Sequence, residues 1–156
     1  PDDGAAIFDS GVICEYLETL GRPPALIPAD PAARVRVRQV EALADGVCDA
    51  VVLIVLETHR PAAMQSADWI VRQRAKIHGG VAALATLLEK RAHFEGDDLT
   101  LADIAAACAL RYIDLRLPDI PWRDSVANLV AFSDAMEARP SFQATVPTVQ
   151  EIAAVR

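Results

Sequence analysis

Two adjacent residues near the start of the chain have the types and spacing for chemistry. Asp9-Ser10 stand just ahead of the periodic stretch Val12, Ile13, Tyr16, Leu17 and Leu20, with Gly21 as its stop. Ser10 is therefore expected to cap a helix of about three turns. A hydroxyl, the unpaired amides of the first turn and the partial positive charge of a helix N-terminus converge there, and together they suit a carboxylate. The Asp9 carboxylate beside them suits an ammonium group. The pair matches the two charges of an α-amino acid head group, although Asp-Ser before a helix, taken bare, reads more readily as an ordinary cap.

Other reactive side chains say less. Cys14 lies one turn after Ser10 and could be a nucleophile or a mixed-disulfide site, but a buried small hydrophobe is the better reading, as for Cys48 and Cys108. Three cysteines with no CxxC pair fit a reducing cytoplasm and not a disulfide framework. His59, His78 and His93 have no metal-ligand spacing, so no metal is expected. Asp45 and Asp49, one turn apart, are an acid-base pair or simply solvated helical acids. Arg111, Tyr112 and Arg116 follow an Ala-rich segment and are candidates to face a substrate cleft, with Trp69 and Trp122 as possible lining. Surface ion pairs and core packing explain all five equally well.

The elements that must position these residues are mostly helical. Asp3-Gly4 signals a tight turn, and residues 5–8 read as a strand leaving it. One strand and one short helix cannot form a core, so residues 1–20 are expected to need partners from a segment upstream of the chain. The Pro-rich residues 21–30 read as a linker and domain boundary. Asp30-Pro31 then opens a long helix over about 31–59, because Val40, Leu43, Val47, Val51 and Ile54 recur at steps of three and four. Arg60-Pro61 ends it. Ser66 opens a second helix, antiparallel to the first, whose Gly79-Gly80 pair costs helix propensity and implies close approach by a neighbour. Thr100 and Asp103 form a capping box in its Asp form, with Leu99 and Ile104 placed for a hydrophobic staple. A further helix spans 126–136, and a short piece follows near Ser141.

The 156 residues are 53% hydrophobic, enough for a sizeable core. A net charge of -7 weighs against nucleic acid and anionic membranes as partners. The longest apolar run, 50–56, is far short of the roughly 20 residues that span a bilayer.

In order and spacing, Asp9-Ser10, Val12-Ile13, Glu15-Tyr16-Leu17, the Pro-rich linker, the long helix pair, Thr100-Leu101-Ala102-Asp103 and Arg139-Pro140-Ser141-Phe142 resemble the glutathione S-transferase family over the whole chain. Residues 36–46 look most like a bacterial branch of it. The resemblance implies a mainly α protein: an all-helical C-terminal domain over 31–156, joined by the 21–30 linker to residues 1–20, the last strand and helix of a thioredoxin-like α/β domain. It also implies glutathione as co-substrate, with Asp9 and Ser10 gripping its γ-glutamyl end. A small electrophile would lie in a cleft that includes Arg111 and Tyr112, in a cytoplasmic homodimer. The family's thiol-activating Ser, Cys or Tyr and its cis-Pro loop precede these residues, so no catalytic residue is assigned and this polypeptide alone is expected to be inactive. The alternative is a non-catalytic glutathione-binding or regulatory protein of the same fold.

Overall fold

The computed structural model describes residues 4–21 and 23–150. Among the described residues six α-helices follow one another: α1 (Ser10–Thr19), α2 (Pro31–Thr58), α3 (Ala67–Leu88), α4 (Leu101–Arg116), α5 (Ala127–Glu137) and α6 (Pro140–Ala144), with 3-10 turns at Ala62–Met64 and Trp122–Asp124. Among the described residues no helix is long and apolar enough to cross a membrane.

The expected long helix is α2. Asp30 caps it by accepting the Ala33 N–H at 2.8 Å, and Pro31 takes the first position, where a missing donor costs nothing. Its β-branched run at 50–56 stays helical because the apolar residues recur with the helix period and no turn interrupts them. Val37, Val40, Ala44, Val47, Val51 and Ile54 are buried between α3 on one side and α4 on the other.

Ser66 caps α3 by accepting the Trp69 N–H at 3.3 Å. Glu57, near the end of α2, accepts the Ser66 N–H at 2.7 Å and closes the turn. Val47 meets Gly80, so the two helices run antiparallel. The glycine pair divides. A Cβ on Gly80 would stand 2.4 Å from Val47 Cγ2, whereas one on Gly79 would meet nothing within 4 Å. Only Gly80 marks the close approach.

The capping box forms at the start of α4. Asp103, with no exposed surface, accepts from the Thr100 N–H at 2.7 Å and the Thr100 hydroxyl at 2.9 Å. Its other oxygen accepts the Phe94 N–H at 2.9 Å. His93 Nδ1 lies 3.5 Å from the same carboxylate. One side chain thus ties the preceding loop to the helix. The linker is held from both ends: Leu26 donates its N–H to Glu18 of α1 at 2.8 Å and accepts the Leu101 N–H at 2.8 Å, while Ile27 is buried in the core.

Two expectations are corrected. Residues 5–8 belong to no regular element, since a lone strand has no ladder without a neighbouring one. The cap of α1 is Asp9 and not Ser10: the Asp9 carboxylate accepts the Gly11 N–H at 3.2 Å, and Ser10 is the first helical residue. A carboxylate at this position satisfies an orphan donor and meets the positive end of the helix with a full charge. Gly4, at φ +77°, has the backbone of the expected turn, while Asp3 lies outside the described residues.

Candidate functional site

The start of α1 lies against the first half of α2. A Cβ on Gly11 would be 3.8 Å from Glu41 Oε1. One turn further, Glu15 pairs with Arg34 and Arg38, and Arg38 also holds Glu41. The Arg38 guanidinium, and then Arg34, hold the Glu15 carboxyl below the usual glutamate range. Asp9 and Ser10 are both exposed.

At the start of α1 the Asp9 carboxylate suits an ammonium group and the helix N-terminus an anion. Asp45 and Asp49 of α2 stand one turn apart and are both exposed, as solvated helical acids. Partial burial, and then Glu41, Asp49 and Asp9, push the Asp45 carboxyl up.

Further along the same helix a cavity of about 480 Å³ opens. Cys48 of α2 forms one wall, and α4 contributes a second through Ile104, Cys108, Arg111 and Tyr112. Glu137 of α5 and Phe142 of α6 close it, with Pro147 beyond. The α4 residues stand at i, i+4, i+7 and i+8, one helical face, while Ala102, Ala106, Ala109, Leu110 and Ile113 turn the opposite face to the core. Burial pushes the Cys48 thiol up to about 11. The Cys108 thiol is also raised, first by its apolar surroundings and then by Glu137, and burial raises Cys14 as well. All three stay protonated near neutral pH and are poor nucleophiles.

Of the sequence candidates, Arg111 and Tyr112 both line this cavity, and Arg116 stacks over the Tyr112 ring with its Cζ 5.8 Å from the centroid. The tryptophans do not join them. Trp122 is 2% exposed and donates its indole N–H to Asp114 at 2.7 Å under the Arg123 guanidinium. Trp69 borders a separate depression with Ser66 and Gln73. Sequence reasoning missed Glu41, Glu137 and Phe142 as site residues, and it read Cys48 and Cys108 as buried hydrophobes, whereas Cys48 is half-buried and Cys108 exposed. The spacing of Ile104, Cys108 and Arg111-Tyr112 was a usable signal, but nothing local pointed to Glu41 or Glu137. Among the described residues no group of three or more His, Cys, Asp and Glu is placed to hold a metal ion.

Comparison with known proteins agrees with this architecture. Residues 67–135 match the family model of the glutathione S-transferase C-terminal domain. A glutathione S-transferase from Methylobacterium radiotolerans, solved in complex with glutathione sulfonate, superimposes with a TM-score of 0.92 at 44% identity, covering 97% of this chain and 71% of that one. A second, from Methylobacillus flagellatus with glutathione bound, gives a TM-score of 0.90 at 42% identity over 95% of this chain and 73% of its own. The uncharacterized GST-like protein YibF of Escherichia coli K12 is 40% identical over 146 residues, 94% of this chain and 72% of the relative. With this identity over more than two thirds of its relatives' length, the chain belongs to the glutathione S-transferase family.

Proposed function

We propose that the protein is a glutathione transferase. In this reading the start of α1 takes the γ-glutamyl end of glutathione, with Ser10 on its carboxylate and Asp9 on its ammonium. The neighbouring cavity takes a small electrophile. The observation that carries the reading is the continuity of the two along α2. Glu41 lies beside Gly11 and Cys48 walls the cavity. Seven residues of helix advance about 10 Å, and an extended tripeptide reaches about 10 Å, so one glutathione can join them. The glutathione and glutathione sulfonate in the two solved relatives support the same ligand.

The three protonated thiols support glutathione's own sulfur as the nucleophile. On this reading residues 1–20 complete a thioredoxin-like domain, residues 21–30 link it and residues 31–156 form the helical domain. Support comes from α1, which has no buried residue and leaves Val12, Ile13, Leu17 and Leu20 from 40% to 53% exposed. Such an apolar row is the face a second domain would cover. The exposed Val52 and Leu56 of α2 and Trp69 and Val71 of α3 would be covered in a homodimer. The free thiols support a reducing cytoplasm as its location.

The test is calorimetric titration of the full-length protein with glutathione. Ser10→Ala should weaken binding by about tenfold, the size of one hydrogen bond to a charged group. Undiminished binding in the variant refutes the assigned site, and no binding in the wild type refutes the function. Binding without turnover of any electrophile would favour the non-catalytic reading.

A further inference from the structure

The cavity beside α4 is apolar over most of its surface, with Ile104, the Tyr112 ring and Phe142 among its walls. Two charged groups, Arg111 and Glu137, break that pattern. The Arg111 side chain is 36% exposed, and among the described residues its guanidinium makes no hydrogen bond. Its ion-pair partner Glu137 stands 3.7 Å away through Oε2, beyond hydrogen-bond reach. Arg36 and Arg123 are held more closely: Arg36 grips Glu95 with two bonds of 2.7 and 2.6 Å and Arg123 is held by Asp114 at 2.9 Å and Asp134 at 3.0 Å, while among the described residues Arg116 and Arg139 each keep a buried Nε without a partner.

Glu137 lines the same cavity with its Oε1 buried and without a hydrogen-bond partner, and its Oε2 at 3.7 Å leaves the Arg111 donors open. An unfilled planar fork at the edge of an apolar chamber suits a planar anion of matching width, and a carboxylate meets it with two parallel bonds. The apolar walls lower the local dielectric and strengthen that contact relative to water. The chain's charge of -7 repels anions at long range, so this preference depends on Arg111 itself.

We propose that Arg111 is the specificity residue of the acceptor cleft and that the acceptors are apolar electrophiles carrying a carboxylate. The anion sits on the Arg111 fork and the apolar body lies along Tyr112 and Phe142. This rests on the reading of the cavity as the acceptor cleft.

The experiment compares 4-phenylbutyrate with its neutral isostere 4-phenylbutanamide by calorimetry on the full-length protein. The carboxylate should bind at least about tenfold more tightly, the worth of one charge-assisted hydrogen bond or more. In Arg111→Gln that preference should fall to within about twofold while the amide binds as before, and Arg111→Lys, which keeps the charge and loses the fork, should lie between. Equal affinity of the two compounds for the wild type, or a preference that survives in Arg111→Gln, overturns the proposal and leaves the cleft standing. If neither compound binds while glutathione still does, the cavity is not the acceptor cleft and both statements fall.

Discussion

The adjacent glycines of α3 offer a test in which neighbouring substitutions of the same kind have opposite signs. Gly79 is exposed and its Cβ would meet nothing within 4 Å, so Gly79→Ala changes only backbone entropy and helix propensity. It should stabilise by about 0.5–1 kcal/mol. Gly80→Ala gains the same propensity, but its methyl would lie 2.4 Å from Val47 Cγ2, more than 1 Å inside ordinary contact at about 3.5–4 Å. Val47 is 2% exposed and β-branched, with one favoured rotamer in a helix, so it cannot turn aside. The antiparallel pair must separate instead, and overpacking of this kind costs about 1–3 kcal/mol, enough to cancel the propensity gain and leave a net loss. For a domain of this size each kcal/mol moves the melting temperature by about 2–4 °C, so thermal melts should show Gly79→Ala above the wild type and Gly80→Ala below it. The cause is isolated by Val47→Ala in the same chain. It removes the clashing methyls, so the double variant should be more stable than the sum of the singles by about 1–3 kcal/mol. A Gly80→Ala protein that melts at or above the wild type, or a pair with no coupling, would refute the close approach of α2 and α3.

Asp103→Ala strands the buried Thr100 and Phe94 donors, at about 1–3 kcal/mol each, and should lower the urea midpoint by about 1–2 M; a shift below about 0.5 M would contradict the buried role. Three glutamates are held below their ordinary value: Glu15 by Arg38 and Arg34, Glu57 by the Ser66 N–H and Arg60, and Glu95 by Arg36. The unfolded chain binds the more protons, so the stability they contribute is complete above about pH 5 and is lost as the pH falls through the lower folded values; melts should be flat from about pH 8 to 5 and then drop, less so in Glu15→Gln. With its thiol pushed up to about 11, Cys48 should react with a disulfide reagent at about pH 7.5 at least about 20-fold more slowly than a free cysteine, the higher nucleophilicity of its rare thiolate included. Labelling at the free-thiol rate would mean that the cavity wall is open to water.

Much of the fold was legible because it is fixed by neighbours in the chain. Asp30-Pro31, Ser66 and the Thr100-Asp103 box each start a helix where the residue types say it should, since a cap binds amides two or three residues away and needs no distant partner. The helix period of Val40, Val47, Val51 and Ile54 likewise outweighed the strand preference of Val and Ile, and the order of motifs was enough to indicate the family. The Asp9-Ser10 pair was readable as the start of a capped helix, but the choice of Asp9 as cap was decided by backbone geometry at the helix entry.

The tertiary structure decided what depends on residues far apart in sequence. Gly79 and Gly80 are identical as letters, and only the position of Val47, more than thirty residues earlier, separates the free one from the packed one. Trp69 and Trp122 were equal candidates for the cleft until packing buried one in the core and set the other at a separate surface. The strand expected over residues 5–8 needed a ladder partner, which no local pattern can supply. The cavity itself is built from α2, α4, α5 and α6, and the open donors of Arg111 depend on where Glu137 stands, 3.7 Å away on another helix. Caps and periodicity are written in short-range spacing, whereas a cleft and its charges are properties of how the helices stack, and these appear only when the chain has packed.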